Sequence, residues 1–279
     1  MTWHLVSDSA CDLYTLDGME DKMDFTTIPF TIRIGGKEYI DDEHMPIPEM
    51  LDANESHSEM AQTACPSPED WREKFSAPGP VIAFTISSAL SGSYNSACAG
   101  RNMILEEEPD KQIAIIDSKA TGPEEAMLIR RARDLILEGI KTIEEIEKDL
   151  IETAARIHTS FALASYHNLI KSGRVSRLIG FIAGHLGFWG IGIGDEKGEI
   201  AIRGKARGSK SMVRFLTEEV QKIGVAGKQI LISHCRNEKD ALALKASLEA
   251  ANPGVEVQVQ PTRGLDSFYA ERSGLIVGY

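Results

Sequence analysis

The sequence VIAFTISSALSGSY, residues 81–94, joins an apolar run to a serine-rich turn that leads into a helical pattern. Residues 81–86 predict a strand, residues 92–107 a helix and residues 112–116 a second strand. A strand, a helix and a strand in this order form a βαβ unit, in which the two strands are parallel. Ligands of such sheets bind at the carboxyl ends of the strands, which is where this turn lies.

The same alternation extends through the first half of the chain. Further strands are predicted at residues 3–7 and 26–34, and further helices at residues 68–76, 123–138 and 142–158. The last of these helices opens with the capping-box pair Thr142 and Glu145. We therefore expect an N-terminal α/β domain, residues 1–160, with a mostly parallel sheet flanked by helices.

The second half has a different pattern. Residues 191–194 and 200–203 flank the turn sequence Asp195-Glu196-Lys197-Gly198, which predicts an antiparallel hairpin. A strand is predicted before the hairpin, and helices alternate with strands after it; these elements lie at residues 161–165, 209–222, 229–233, 239–251 and 255–259. The chain is thus predicted to be an α/β protein of two domains, with antiparallel pairing in the C-terminal domain, residues 161–279.

The overall charge restricts the partners. The chain of 279 residues has 30 basic and 42 acidic residues, which gives a formal net charge of −12. A protein this acidic repels phosphate backbones at long range, so we expect no nucleic-acid partner. The N-terminus does not resemble a signal peptide, and no apolar run reaches the roughly 20 residues of a membrane span. We therefore expect a cytoplasmic protein without stable membrane insertion.

The sequence patterns of common catalytic sites do not occur in the chain. It contains no Gly-x-x-x-x-Gly-Lys-Ser/Thr, His-Glu-x-x-His or Gly-x-Ser-x-Gly motif. The four cysteines are far apart and form no Cys-x-x-Cys pair, so we expect reduced thiols rather than disulfides or a zinc site. The sequence therefore predicts no catalytic residue, no metal and no cofactor.

Two polar segments are candidate ligand-binding loops. The turn at residues 86–94 combines four serines with a glycine at a helix start, where backbone N–H groups and hydroxyls can hold an anion. Plain N-capping by Ser91 or Ser93 explains the same residues equally well. Upstream, Ser67 is predicted to cap a helix whose first residue is proline. Thr63 either faces the same cavity or hydrogen-bonds its own loop, and without further context the loop is favoured.

Six short motifs occur along nearly the whole chain. They are DSACDL (residues 8–13), TACPS (63–67), ISSALSGSY (86–94), IDSK (116–119), SGRVS (172–176) and KARG (205–208). Each motif alone is weak, but in this order they resemble the motifs of the DegV family. The third motif matches the family pattern Ile-Ser-Ser-x-Leu-Ser-Gly-Thr-Tyr almost residue for residue.

The resemblance implies two α/β domains that enclose one long-chain fatty acid. It implies that Thr63 and Ser91 hold the carboxylate, with the Gly92 N–H as a third donor. Members of the family serve as the acyl-carrying subunit of a bacterial fatty-acid kinase, whose kinase partner phosphorylates the carboxylate. By this resemblance the protein is a binding protein and not an enzyme. Two alternatives stay open: a hydrolase or acyltransferase that uses Ser91, and a ligand-gated regulatory module.

The chain departs from the family pattern near its C-terminus. Counting back from the last residue places Tyr269 where the family has a histidine close to the carboxylate. We therefore expect Tyr269 in the head-group site, as a hydrogen-bond donor that carries no charge near neutral pH. In a second departure, Trp189-Gly190-Ile191-Gly192 replaces a family strand that contains a Lys-Pro pair.

Basic residues and apolar segments complete the predicted site. The resemblance assigns Arg174 and Arg207 to a patch for a phosphate or an acidic partner, whereas solvation explains the other basic residues near them. The acyl tunnel has three candidate linings, although ordinary core packing is the more frequent role for any one residue. These linings are residues 161–163, 178–188 and 273–276.

Overall fold

The first sheet is parallel and is built from the first half of the chain. A computed structural model describes residues 2–57, 61–139, 142–175, 187–225 and 229–279. Its first four-stranded sheet contains β1 (Trp3–Asp8), β2 (Met23–Ile28), β6 (Val81–Thr85) and β7 (Ile113–Asp117). Their spatial order is β2-β1-β6-β7, and every neighbouring pair is parallel. The predicted βαβ arrangement is therefore confirmed.

Helices cover both faces of this sheet. They are α2 (Pro68–Phe75), α3 (Ser93–Glu107), α4 (Pro123–Glu138) and α5 (Ile143–Ala154). Leu5, Ile82 and Phe84 point to one face and join the core under α4 and α5, while Val6 and Ala83 point to the other face. Burial on both faces explains why these strands are continuous apolar runs rather than alternating ones.

Local capping residues begin α2 and α5 at the positions that the sequence predicts. Ser67 accepts the Asp70 N–H at the start of α2, and the Asp70 carboxylate accepts the Ser67 N–H in return. Thr142 and Glu145 form the same capping box at the start of α5. Because each box satisfies two N–H groups that lack helical partners, the starts of both helices are determined locally.

A small antiparallel sheet interrupts the first half. It contains β3 (Thr31–Ile34), β4 (Lys37–Ile40) and β5 (Gln62–Ala64), in the order β4-β3-β5. The helix α1 (Ile47–Ser56) lies between β4 and β5 in the chain. The prediction of one strand over residues 26–34 is wrong. The chain leaves the parallel sheet after Ile28, next to Pro29, which has no N–H to donate to a ladder.

The second large sheet has six strands. These are β8 (Thr159–Leu163), β9 (Phe188–Gly194), β10 (Ile200–Arg207), β11 (Gln229–His234), β12 (Glu256–Pro261) and β13 (Leu275–Gly278). Their order is β10-β9-β8-β13-β11-β12, and all pairs are antiparallel except the parallel β11 and β12. The predicted hairpin around Gly198 and the antiparallel character of the second half are confirmed.

One face of the six-stranded sheet is closed by two long helices, α7 (Ser209–Ile223) and α8 (Glu238–Ala251). Ala162, Ile191 and Leu275 lie under these helices with no exposed surface. The other face meets α4, the small sheet and two short helices, α6 (His167–Lys171) and α9 (Gly264–Ala270). This second face is therefore covered by several different elements rather than by one pair of long helices.

The two large sheets divide the chain close to residue 160. The parallel sheet ends with Asp117, and the six-stranded sheet begins with Thr159. One apolar cluster nevertheless joins Ile32 and Met50 of the first half to Ile276 of the second. The domain boundary near residue 160 therefore stays a prediction.

Candidate functional site: an apolar cavity between the sheets

A cavity lies on the second face of the six-stranded sheet. In the strand register, Phe161 stands opposite Gly192 on one side and Ile276 on the other, and Ile200 stands opposite Gly194. Alternate residues of a strand share a face, so all side chains in this register point the same way. The cavity floor consists of Thr159, Phe161, Leu163, Gly194, Ile200 and Ile276.

The opposite walls come from loops and short helices. Ile86 and Leu90 come from the serine-rich turn, Ala120 and Thr121 follow β7, and α9 contributes three residues. The remaining lining residues are Leu169, Arg174, Gly198 and Glu199. The space among these residues is about 710 Å³, a volume that includes a part open to solvent. The surface that lines the cavity is therefore mostly apolar.

Within the candidate lining segments, some residues line the cavity and others do not. Phe161 and Leu163 line the cavity, but Ala162 between them does not, because it points to the helix-covered face. In the C-terminal segment Ile276 is a lining residue and Leu275 packs under the helices. Each of these two candidate segments thus contains both lining residues and core residues, since strand side chains alternate between faces. Of the third segment, residues 178–186 lie outside the described residues.

Two hydroxyl groups meet at one end of the cavity. The Thr63 Oγ1 and Tyr269 Oη atoms are 2.8 Å apart, and either can donate the hydrogen bond. Thr63 lies in β5 and Tyr269 in α9, which are 206 residues apart in sequence. Thr63 therefore does not bond its own loop, the alternative that its sequence context favoured. Tyr269 also lines the cavity and packs edge-to-face against Phe268, with ring centroids 4.9 Å apart.

Arg174 ties the serine-rich turn to this pair. Its Nε donates to the Leu90 carbonyl oxygen at 2.8 Å, and its guanidinium carbon lies 4.9 Å from the centroid of the Tyr269 ring. A cation above a tyrosine face is attracted by the ring quadrupole. Among the described residues that line the cavity, Arg174 is the one cation. It brings positive charge to the same end as the two hydroxyls.

Ser91 and Gly92 form the start of α3 beside Cys65. The helix cap is Gly92, which makes no side-chain cap hydrogen bond. The Ser91 Oγ accepts the Ser93 N–H at 3.3 Å, and a Cβ on Gly92 would lie 3.7 Å from the Cys65 sulfur. Ser91 is partly exposed. It is not the N-cap residue of α3, because it precedes Gly92, which occupies that position.

Asp8 holds the serine-rich turn in place, a role that sequence analysis did not assign. Its fully buried carboxyl group accepts the Ile86 N–H at 3.0 Å and the Ser93 hydroxyl at 2.6 Å. These bonds connect the end of β1 to both sides of the turn. Burial raises the pKa of Asp8 to about 6, although its hydrogen bonds act in the opposite direction.

Asp41 positions α9 and thereby Tyr269. Its carboxylate accepts the Gly264 N–H at 2.8 Å and the Leu265 N–H at 2.9 Å, the first N–H groups of this helix. The buried Arg263 lies beside it, with its Nε 3.6 Å from the Asp41 Oδ1. A carboxylate on helix N–H groups is favourable because these groups have no helical partner. No local sequence signal connects Asp41 to a helix more than 200 residues away.

Arg207 lies apart from the cavity lining. It is the last residue of β10, it is exposed, and its guanidinium carbon is 5.6 Å from the centroid of the Phe188 ring. The structure thus brings together Thr63, Tyr269 and Arg174, places Ser91 and Gly92 next to them through Leu90 and Cys65, and leaves Arg207 on the surface.

The described residues provide neither a metal site nor a membrane span. Within the part of the chain that the structure describes, no three histidine, cysteine, aspartate or glutamate side chains come together as a metal-binding group. None of the helices in these same ranges is both long and apolar enough to cross a bilayer.

A parallel sheet, a mixed and mostly antiparallel sheet, and an apolar cavity beside the second sheet define a two-sheet α/β fold. The sequence model of the DegV family, described as a family of uncharacterised proteins, matches residues 2–270. A DegV domain-containing protein of Streptococcus pneumoniae (strain ATCC BAA-255 / R6) is 36% identical over 279 residues, covering 100% of this chain and 99% of the relative. The chain therefore belongs to the DegV family.

Solved structures of similar proteins contain fatty acids. A DegV family protein from Eubacterium eligens, loaded with heptadecanoic acid, is 35% identical, covers 99% of each chain and superposes with a TM-score of 0.94. The Fatty Acid Kinase (Fak) B3 protein of Streptococcus pneumoniae, loaded with linoleic acid, is 35% identical with a TM-score of 0.96. This second comparison covers 100% of the present chain and 99% of the other. These similarities confirm the predicted family and α/β fold.

Proposed function

We propose that this protein binds one long-chain fatty acid in the cavity between its two large sheets. The observation that carries the proposal is an apolar cavity with the Thr63–Tyr269 hydroxyl pair at one end. The acyl chain would lie on the sheet floor, and the carboxylate would lie at the hydroxyl pair. The fatty acids in the similar E. eligens and S. pneumoniae proteins support this assignment.

The acyl chain would provide most of the affinity. A chain with about fourteen buried methylenes gains roughly 11 kcal/mol as an upper value, at about 0.8 kcal/mol for each methylene. Each neutral hydrogen bond to the carboxylate adds only about 1 kcal/mol. The cavity floor would therefore select the chain, while the head-group residues would determine where the carboxylate sits.

Thr63, Ser91, Gly92 and Tyr269 are the proposed head-group residues. Because one hydroxyl of the Thr63–Tyr269 pair donates to the other, one hydrogen is free for a carboxylate, which can accept from both hydroxyls once their mutual hydrogen bond breaks. Tyrosine, unlike the family histidine, adds no positive charge near neutral pH. Arg174 would then provide the positive charge at this end of the cavity. Its bond to the Leu90 carbonyl would hold Ser91 and Gly92 close to the carboxylate.

The protein would present the bound carboxylate to a partner kinase rather than act on it. The similar Fak B3 protein supports this role. The exposed Arg207 is proposed as part of the partner contact, and Arg174 as the cation nearest the phosphorylated head group. A hydrolase mechanism at Ser91 needs a base within hydrogen-bond reach. In the described hydrogen bonds, the Ser91 hydroxyl accepts a backbone N–H and has no histidine or carboxylate partner.

Mass spectrometry of the intact protein under native conditions tests this function. The purified protein, incubated with a mixed pool of saturated and unsaturated fatty acids, is expected to gain the mass of one fatty acid. Denaturation should release that ligand, and an organic extract identifies its chain. A protein that stays ligand-free at saturating fatty acid concentrations would contradict the proposal.

A further inference from the structure

Strand β9 has three glycines on the face that forms the cavity floor. Gly190, Gly192 and Gly194 alternate along the strand, so their missing side chains all belong to this face. A Cβ on Gly190 would lie closer than 3.0 Å to the Tyr166 ring, and one on Gly192 closer than 3.0 Å to the Phe161 ring. Real Cβ atoms essentially never come this close. Two aromatic rings are therefore seated in notches that only glycine leaves open.

The two seated rings belong to the same apolar cluster, with ring centroids 6.4 Å apart. Phe161 is part of the cavity floor, whereas Tyr166 is absent from the described lining. The third notch, at Gly194, contains no ring: a Cβ there would meet only the Thr159 side chain at an ordinary 3.7 Å, and Gly194 itself lines the cavity. The same backbone pattern thus produces one ring outside the described lining, one ring in the floor and one open position.

Phe161 lies between two cross-strand neighbours. Its two cross-strand partners are Gly192 of β9 and Ile276 of β13, and its ring contacts the glycine position. Ile276 remains part of the floor beside it. How deeply the ring sits over Gly192 therefore determines how much width remains above the middle of the floor, because core side chains pack without spare volume.

We infer that Phe161, seated in the Gly192 notch, determines which acyl-chain shape the cavity accepts. This inference rests on the proposed fatty-acid function and assigns its specificity to the chain-binding floor rather than to the head-group residues. A straight saturated chain passes over the seated ring in full contact. A bent or longer chain needs width that the ring occupies, and hydrophobic sites discriminate such differences by about tenfold or more.

Phe161→Leu tests the inference through a ratio of two affinities. Dissociation constants are measured for palmitate and for oleate, which have the same carboxylate and differ in length and bend. The ratio of the palmitate constant to the oleate constant is expected to rise about tenfold in the variant, because palmitate loses contact and oleate gains space. A ratio within twofold of that of the unaltered protein overturns the inference.

Phe75→Leu is the matched control. It makes the same change of side chain at a fully buried ring, but that ring belongs to the apolar cluster of Val6 and Ala83 and does not line the cavity. The palmitate-to-oleate ratio should stay within twofold of its original value. An equal shift in this variant would show that the ratio responds to core loosening in general, and it would also overturn the inference.

A double variant separates the ring from the backbone. A Cβ on Gly192 would approach both the Phe161 ring and the Ala201 carbonyl oxygen closer than 3.0 Å. Gly192→Ala should weaken binding of both fatty acids at least about tenfold by moving the ring into the cavity, and Phe161→Ala in the same chain should restore oleate binding. Continued loss in the double variant would assign the effect of Gly192→Ala to β10.

These outcomes are distinct from failure of the proposed function. If the unaltered protein binds neither palmitate nor oleate, the fatty-acid function itself is wrong. If it binds both and Phe161→Leu keeps the original ratio, the function stands and only the role of Phe161 is wrong. Thermal unfolding of each variant checks that it is folded, and the Phe161→Leu ratio decides the inference even where a glycine variant does not fold.

Discussion

The two faces of the six-stranded sheet have similar apolar side chains but different neighbours. On one face, Ala162, Ile191 and Leu275 lie under two long helices with no exposed surface. On the other, Phe161 and Ile276 meet loops and short helices, and a cavity partly open to solvent remains above them. Two regular helices can fill a sheet face with closely packed side chains, whereas irregular segments do not. The difference between core and binding site therefore lies in what covers the sheet.

Substitutions at Leu275 and Ile276 test this difference most directly, because the two residues are sequence neighbours on opposite faces of the sheet. Leu275→Ala removes fully buried contacts under the helices and is expected to lower the free energy of unfolding by about 2–5 kcal/mol. Ile276→Ala borders space that is already empty, so its cost in the ligand-free protein should be clearly smaller. Urea unfolding of both variants measures the difference. Equal losses would mean that the two faces are packed alike.

Substitutions of the head-group residues measure how much the polar contacts contribute to affinity compared with the apolar cavity floor. Thr63→Ala combined with Ser91→Ala should weaken fatty-acid binding about tenfold or somewhat more, since each lost hydrogen bond is worth about 1 kcal/mol. The protein should remain folded, because both side chains are only partly buried. Fluorescence or calorimetric titration gives the dissociation constant, and Gln62→Ala, at an exposed residue of the same strand as Thr63, is the matched control. Full affinity in the double variant would refute the head-group assignment.

Buried carboxyl groups make the stability of the cavity surroundings depend on pH. Burial raises the pKa of Asp8 to about 6, that of Asp12 to about 7 and that of Glu124 to about 8. The unfolded chain releases these protons near pH 4, while the folded protein still keeps them. The stabilisation is therefore complete below about pH 4 and is lost as the pH rises through these folded-state pKa values. Each group contributes a slope of about 1.4 kcal/mol per pH unit within its window.

Urea unfolding between about pH 5 and about pH 8 measures this slope. The free energy of unfolding should fall as the pH rises, and Asp12→Asn should make the fall shallower between about pH 5 and about pH 7 by removing one titrating group. The exposed Asp17→Asn is a control that should leave the slope unchanged. A free energy that rises over this range would contradict the prediction.

The smallest expected effect on the ligand comes from the surface. Arg207→Glu should change the fatty-acid dissociation constant by less than about twofold, because exposed charges outside the cavity contribute little. Phosphorylation of the bound fatty acid by a partner kinase should nevertheless slow about tenfold if Arg207 contacts an acidic surface of that partner. Lys210→Glu, a nearby exposed cation at the start of α7, is the control. Unchanged phosphorylation would remove Arg207 from the proposed partner contact.

Much of the fold was predictable, but the small sheet was not. The bounds of α4 agree with the predicted residues 123–138, and the hairpin, the Ser67 cap and the Thr142–Glu145 capping box also agree. The antiparallel strands β4 and β5 were missed, and β3 was merged with β2. The missed strands are four and three residues long, so they contain too few alternations for a pattern. Ile34 pairs with Lys37 across Gly35-Gly36, so β3 and β4 form a local hairpin, whereas β5 joins β3 from a separate segment of the chain.

The sequence by itself determined the elements whose causes are local. Apolar runs, caps and tight turns act within about four residues, so they can be recognised without knowing the fold. Only the tertiary structure decided that Thr63 meets Tyr269 across 206 residues, that Asp41 begins α9, and that Phe161 faces a cavity while Ala162 faces a core. Such contacts depend on strand register and on which element covers each face. Both are set by packing across the whole chain, which no local segment specifies.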